Sequence, residues 1–174
     1  MKRLFIILAL AGGMAAMSSC SSTRTAAQSA ADEQNAQLVT RMLDKKMYKV
    51  DFDRAFPMPG PSFTLNYPYF VSVIGDRVES FLPYFGRAYS IPYGGGEGLR
   101  FEAPITGYTV KDGRKGQQVI TFNARTSEDD YTYSFEIYPS GETYLNVNAV
   151  NKQGMSFSGT MDLEPEFEVI KVAE

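Results

Sequence analysis

The sequence predicts a mainly β protein. One N-terminal helix precedes an antiparallel up-and-down meander curled into a barrel-like or half-barrel body, lipocalin-like in plan, with an open β-sandwich as the alternative closure. Three observations predict it. From Tyr48 onward the apolar residues alternate with polar ones at a period of two. Turn-forming clusters at Lys111–Gly113, Thr126–Asp130, Pro139–Gly141 and Asn151–Gly154 cut that alternation into short runs of regular spacing. The 174 residues, 44% hydrophobic and 13% aromatic, supply one core and leave too little chain for a second ordinary domain.

The chain is expected to begin with a leader. Lys2 and Arg3 are followed by an apolar run, Leu4 to Ala11, and then by small residues up to Cys20. That is the layout of a secretory signal, and the run is too short to span a bilayer. Met17, Ser18 and Ser19 before Cys20 resemble a bacterial lipoprotein cleavage box, with Met17 in place of the commoner Leu. Cys20 is the only cysteine, so it has no disulfide partner within the chain, and lipidation accounts for it. Each buried methylene contributes about 0.8 kcal/mol, so the multiple acyl chains of such anchors hold permanently. Ser21 and Ser22, with no acidic cluster after Cys20, match the sorting pattern for the outer membrane and its periplasmic face. The expected boundaries are a lipoprotein signal peptide at 1–19, a flexible tether at 20–29 and a single domain at 30–174. The membrane, held through acylated Cys20, is the first expected partner.

Residues 29–47 are expected to form one helix. Ser29 can cap it, and Leu38, Val39, Met42 and Leu43 form one apolar stripe with Met47 near it. Such a stripe packs on the body of the domain. Tyr48, Val50 and Phe52 then open a half-buried strand. Val71, Val73 and Ile74 lead into a turn at Gly75-Asp76, and Arg77 to Phe81 return. In the C-terminal half, one face carries Ile120, Phe122 and Ala124, then Tyr131, Tyr133, Phe135 and Ile137, then Leu145, Val147 and Ala149, then Met155, Phe157 and Met161. Short loops make these strands antiparallel neighbours. Gly159, inside the last of them, marks a bulge or tight bend.

Residues 67–101 differ in composition. Proline, tyrosine and phenylalanine recur, and Gly94-Gly95-Gly96-Glu97-Gly98 follows. The phrases "GDRVESFLPYFGRAY" and "GGGEGLRFEAP" resemble a family of uncharacterised lipoproteins of gut-type Gram-negative bacteria, a domain of unknown function. The resemblance covers residues 30 to 164 and implies an envelope address; it implies no catalytic residue. The glycine run is not a phosphate loop, because Leu99, Arg100 and Phe101 continue it as a strand and Glu97 repels anions. Two readings of the segment remain. In one, Tyr84, Phe85, Arg87, Tyr89, Tyr93 and Arg100 form a ligand-binding surface of rigid rings and cations. In the other, the rings close the open end of the sheet.

Composition excludes much chemistry. The chain has no histidine and no cysteine after Cys20, which removes imidazole bases, thiolate nucleophiles and the usual zinc sites. A net charge of −3 argues against nucleic acid. Asp51-x-Asp53 and Glu128-Asp129-Asp130 lack the spacing of a calcium loop and read as solvated charge. No metal or cofactor is expected. The expected function is a lipid-anchored, non-enzymatic envelope binding protein, taking a small amphipathic ligand on the sheet's concave side or an envelope protein partner. The alternatives are a carboxylate-dependent glycan hydrolase and a structural or assembly lipoprotein. Replacing Cys20 with Ala is expected to move the protein from the membrane to the soluble fraction; unchanged fractionation rejects the anchor.

Overall fold

In the computed structural model, which describes residues 26–58, 60–89 and 98–165, the chain runs α1 (Ala26–Asp44), β1 (Met47–Pro57), β2 (Phe63–Ile74), β3 (Arg77–Leu82), β4 (Leu99–Asp112), a short 3-10 turn (Arg114–Gly116), β5 (Gln118–Arg125), β6 (Asp130–Ile137), β7 (Glu142–Ala149) and β8 (Met155–Asp162). Each strand is antiparallel to the next, and β1 pairs with β8, so the sheet is a closed barrel rather than a half-barrel or a sandwich. The leader, Cys20, most of the expected tether, Tyr93 and Gly94 to Glu97 lie outside the described residues. No described helix is long and apolar enough to cross a membrane.

The period of two does what it should. Ile120, Phe122, Ala124, Tyr131, Tyr133, Phe135, Ile137, Leu145, Val147, Met155, Phe157 and Met161 are all buried, and their neighbours in sequence face out. In β1 the phase slips: Tyr48, Val50 and Phe52 are buried, but the next buried residue is Ala55. The register shift between Phe52 and Arg54 marks a β-bulge at Asp53, which adds one residue and re-aims the strand.

Side chains occupy the middle of the barrel. Phe101 stacks on Tyr131 at 4.7 Å, Phe122 stacks on Tyr133 at 5.1 Å and on Phe135 at 5.9 Å, and Phe135 meets the edge of Tyr48 at 6.2 Å. This column of rings runs from one rim to the other. The concave side, expected to hold a ligand, is therefore core. Polar atoms inside are mostly paired: the Tyr133 hydroxyl donates to Ser80 Oγ at 2.8 Å, which donates to the Leu99 carbonyl at 2.8 Å.

The helix corrects two boundaries. It already includes Ala26, the first described residue and inside the expected tether, so Ser29 lies within the helix rather than at its cap. It ends at Asp44, because Lys46 adopts φ = +50° and turns the chain into β1, leaving Met47 as an exposed strand residue. Val39 and Leu43 are buried against the floor of the barrel as the stripe requires, with Met42 packed beside them. Tyr108 Oη donates to the Leu43 carbonyl at 3.3 Å, and the Lys46 ammonium reaches Asp76 at 2.8 Å. Beneath the helix the Tyr48 hydroxyl is buried with no hydrogen-bond partner among the described residues. Burial, and then the neighbouring Tyr108, push its pKa well up.

Gly159 lies on the inward phase of β8, opposite Phe52, where the barrel closes. A Cβ there would run into the Asp51 carbonyl and come within 2.7 Å of Phe52 Cα, both backbone. The expected bend is thus a close approach of two strands. Gly159→Ala is expected to destabilise the fold by about 3 kcal/mol, read as a lower denaturation midpoint; a wild-type midpoint refutes this account of the seam.

Candidate functional site

Helix α1 covers one end of the barrel, and the β1–β2, β3–β4, β5–β6 and β7–β8 connections lie at the other, described at 58, 60–62, 83–89, 98, 126–129 and 150–154. The helix-end connections are 75–76, 113–117 and 138–141, and the sixteen-residue β3–β4 connection makes the opposite end the place where a site can be built.

Two charged residues organise that end. Asp129, expected in the sequence to be solvated, is only 5% exposed. Its carboxylate accepts hydrogen bonds from the backbone N–H groups of Asp130, Val150 and Asn151 at 2.9 to 3.2 Å and from the Asn151 side chain at 3.3 Å. It therefore locks the β5–β6 loop to the β7–β8 loop. Lys152 is also 5% exposed. Its ammonium spends its three donors on the Gly98 carbonyl at 3.3 Å, Glu128 Oε2 at 3.2 Å and the Tyr131 hydroxyl at 3.0 Å. Burial alone would lower its pKa; the bonds to Tyr131 and Glu128 outweigh burial and raise it.

Beside this cluster the wall of the barrel has a slot of about 300 Å³. Gly98, Arg100, Phe101 and Glu102 of β4 line one side; Thr126, Ser127 and Glu128 line the other, with Tyr131 at the floor. A larger hollow of about 650 Å³ runs along α1 past Glu33, Thr40, Arg41 and Asp44, but it is shallow, open to solvent and without a ring to hold a ligand.

Outside the slot, β1 to β4 carry a cross-strand ladder. Phe70 faces Phe81, and Phe81 faces Arg100. The Lys49 ammonium sits 5.0 Å from the Phe70 centroid and the Arg100 guanidinium 4.6 Å from that of Phe81. Tyr67, 58% exposed, packs against Tyr69 at 5.5 Å and Phe81 at 5.9 Å. Lys49 also pairs with Asp51 at 3.3 Å, and Arg77 with Glu102 at 3.4 Å. Arg100 has no carboxylate partner among the described residues, and it lies where the ring strip meets the slot.

The expected ligand-binding residues that are described, Tyr84, Phe85, Arg87, Tyr89 and Arg100, do not form one surface. Tyr84 is a staple: its hydroxyl lies 2.8 Å from the Arg87 carbonyl and 3.1 Å from that of Gln153, and Gly86 and Gly98 leave room for its ring. Residues 87–89 pair with 151–153, through Gln153 N to the Arg87 carbonyl and Tyr89 N to the Asn151 carbonyl. Phe85 packs edge-on against Phe63 at 4.5 Å. Arg87 and Tyr89 are exposed, Tyr89 at 74%. Of these described residues, Arg100 alone joins the slot. The sequence reading missed Tyr67, Phe70, Phe81, Glu102, Ser127, Glu128 and Tyr131. The Gly75-Asp76 turn was the available signal for part of this, since it sets Ile74 opposite Arg77 and hence Phe70 opposite Phe81. Among the described residues, no group of three or more acidic, His or Cys side chains could hold a metal ion.

Residues 30–161 match the sequence profile of "Domain of unknown function (DUF4251)". The chain belongs to the DUF4251 family. The resemblance carried by residues 75–89 and 94–104 is to this family. A crystal structure of a DUF4251 family protein from Bacteroides eggerthii DSM 20697 is similar with a TM-score of 0.59 and 15% identity, covering 77% of this chain and 91% of that one. At that identity the likeness shows the shared fold alone. No curated protein matches this DUF4251 chain.

Buried tyrosines make the loop end sensitive to alkali. Burial raises the pKa of Tyr131 and Tyr133 above the usual 10.0, and Lys152 is raised above 10.5. All three hold protons more tightly when folded, so their contribution is full below pH 10 and is lost as pH climbs through the folded values. Tyrosinate absorbance from these rings is expected to rise together with loss of β-sheet circular dichroism; ionisation of all the tyrosines in an intact barrel refutes it.

Proposed function

We propose that this protein is a lipid-anchored, non-enzymatic binding module of the outer membrane, facing the periplasm. It meets an envelope protein partner with the outside of its barrel. The leader and Cys20 support the address. The observation that carries the binding mode is Arg100, a cation without a carboxylate among the described residues, held by stacking at the junction of an exposed ring strip and a slot. Rings with a cation beside them, one of them largely exposed, are the chemistry of interface anchors. The interior is filled by the aromatic column, so a ligand held inside, as in lipocalins, has no room there.

The hydrolase reading is weaker on the same geometry. The slot does hold two carboxylates, Glu102 and Glu128. Each is beside a cation, Arg77 at 3.4 Å and Lys152 at 3.2 Å. Both carboxylates are thus committed to ion pairs rather than presented to a glycosidic oxygen.

The test is photocrosslinking in cells, with a benzophenone side chain placed at Tyr67 on the strip or at Tyr144 on the opposite, β7, wall. A discrete adduct from Tyr67, absent from Tyr144 and lost with Arg100→Ser, is the expected result. Equal adducts from both positions, or none from either, reject the proposal.

A further inference from the structure

We infer that the slot beside β4 accepts an extended segment of the partner, added as a short strand to a free edge of the barrel. The inference rests on the partner-binding reading above.

Strand lengths create the edge. Residues 99–104 of β4 pair with β3 only, because β5 begins to pair at Ile105 and ends at Arg125. The slot is the place that further residues of β5 would fill. The start of β2 also overhangs β3, beside residues 83–85, where Phe85 rests on Phe63, and residues 106–112 of β4 overhang β3 at the helix end, away from the slot. The overhang at the start of β4 has no strand beside it among the described residues.

The backbone groups point the right way. Ile105 N–H donates to the Asp76 carbonyl at 2.9 Å, on the β3 side. Alternation along the strand then turns Phe101 and Ala103 toward β3, and Arg100 and Glu102 toward the slot. Pro104, next on the slot side, has no N–H to leave unpaired, which is where proline is tolerated in a sheet. The amides and carbonyls of Arg100 and Glu102 are thus available to a guest.

The far wall is built to stay open. Thr126 Oγ1 accepts the N–H groups of Glu128 and Asp129 at 3.1 Å, and Asp129 ties the loop to Asn151. The loop cannot fold inward over the edge without breaking those bonds. The floor is the Phe101–Tyr131 stack. Three extended residues span about 10 Å, a length that the edge from Arg100 to Glu102 matches.

Charge sets the guest's sequence. Arg100 and Glu102 face outward on the same rung positions as a guest's alternate residues. An antiparallel guest places a basic residue opposite Glu102, a small apolar one over the floor, and an acidic one opposite Arg100. Read N to C, that is Lys-Val-Glu. Main-chain bonds supply the attachment and the flanking charges the direction, as in other cases of strand addition.

The experiment follows amide exchange and chemical shifts in the soluble Cys20→Ala protein. Two capped peptides are titrated, Ac-Thr-Lys-Val-Glu-Thr-NH2 and the charge-reversed Ac-Thr-Glu-Val-Lys-Thr-NH2. In the free protein, Arg100 and Glu102 are expected to exchange roughly tenfold faster than Phe101 and Ala103. The first peptide is expected to protect both amides, and the reversed one to bind about fivefold more weakly. Glu102→Pro removes an N–H that no strand uses, so it should abolish protection of Arg100 while keeping the melting temperature. Arg100→Glu, with its backbone intact, should shift preference to Ac-Thr-Lys-Val-Lys-Thr-NH2. Slow exchange at Arg100 and Glu102 in the free protein, no shift with either peptide, or equal binding of the two overturns strand addition. Tyr67 adducts that persist in cells carrying Glu102→Pro leave the partner reading standing and overturn the slot; absence of Tyr67 adducts overturns the reading itself.

Discussion

The pairing of β1 with β8 is the constraint on which the rest depends. Antiparallel sheets expose two edges, and an exposed edge invites pairing with other chains. Closing the ring removes both at once and puts every inward residue into a shared core. The seam closes because β8 presents Gly159 where β1 crosses, and because the bulge at Asp53 lets β1 bend around it. Without that contact the column from Phe101 to Tyr48 would have one side in water. With it, what remains open among the described residues is short overhangs, and the start of β4 is the one that borders the slot.

The two ends of the barrel solve closure differently. At one, an amphipathic helix lays Val39 and Leu43 on the floor, above the buried Tyr48 hydroxyl and its neighbour Tyr108. At the other, buried charge does the work of a plug. Asp129 and Lys152 are costly to bury, and both are repaid by complete hydrogen bonding. Truncating either leaves its partners orphaned, so the loops they join stay in one arrangement. A rigid rim is what holds the slot open beside Arg100.

Legibility follows the range of the forces involved. The inward residues of β5 to β8 are plain in the sequence because alternation is local, and the turns between them carry their own glycine, proline and aspartate. The β2–β3 register was equally available from Gly75-Asp76, and with it the Phe70–Phe81 pair. Lys152 was not. It stands in a stretch, Asn151 to Gly154, that reads as an ordinary turn, and it is buried by Tyr131 and Gly98, residues 21 and 54 positions away. Asp129 misled for the same reason, sitting in an acidic triplet that looks solvated until β7 and β8 fold over it. Of the candidate site, Arg100 was legible and joins the slot. Tyr84 was legible only as a ring, since its role as a staple depends on Gln153. The helix start was missed because Ser29 resembles a cap while Ala26 and Ala27 carry the helix past it.

The order of the strands bears on how the barrel assembles. Seven of the eight pairings join segments adjacent in the chain, so each can zip as a hairpin or short extension with little entropy lost to loop closure. The eighth brings residues 49–57 to residues 155–162, across most of the chain. That single long-range joint carries the largest loop-closure cost of the eight, and Gly159 stands at it. A side chain at position 159 would therefore burden the one pairing that proximity along the chain does not assist.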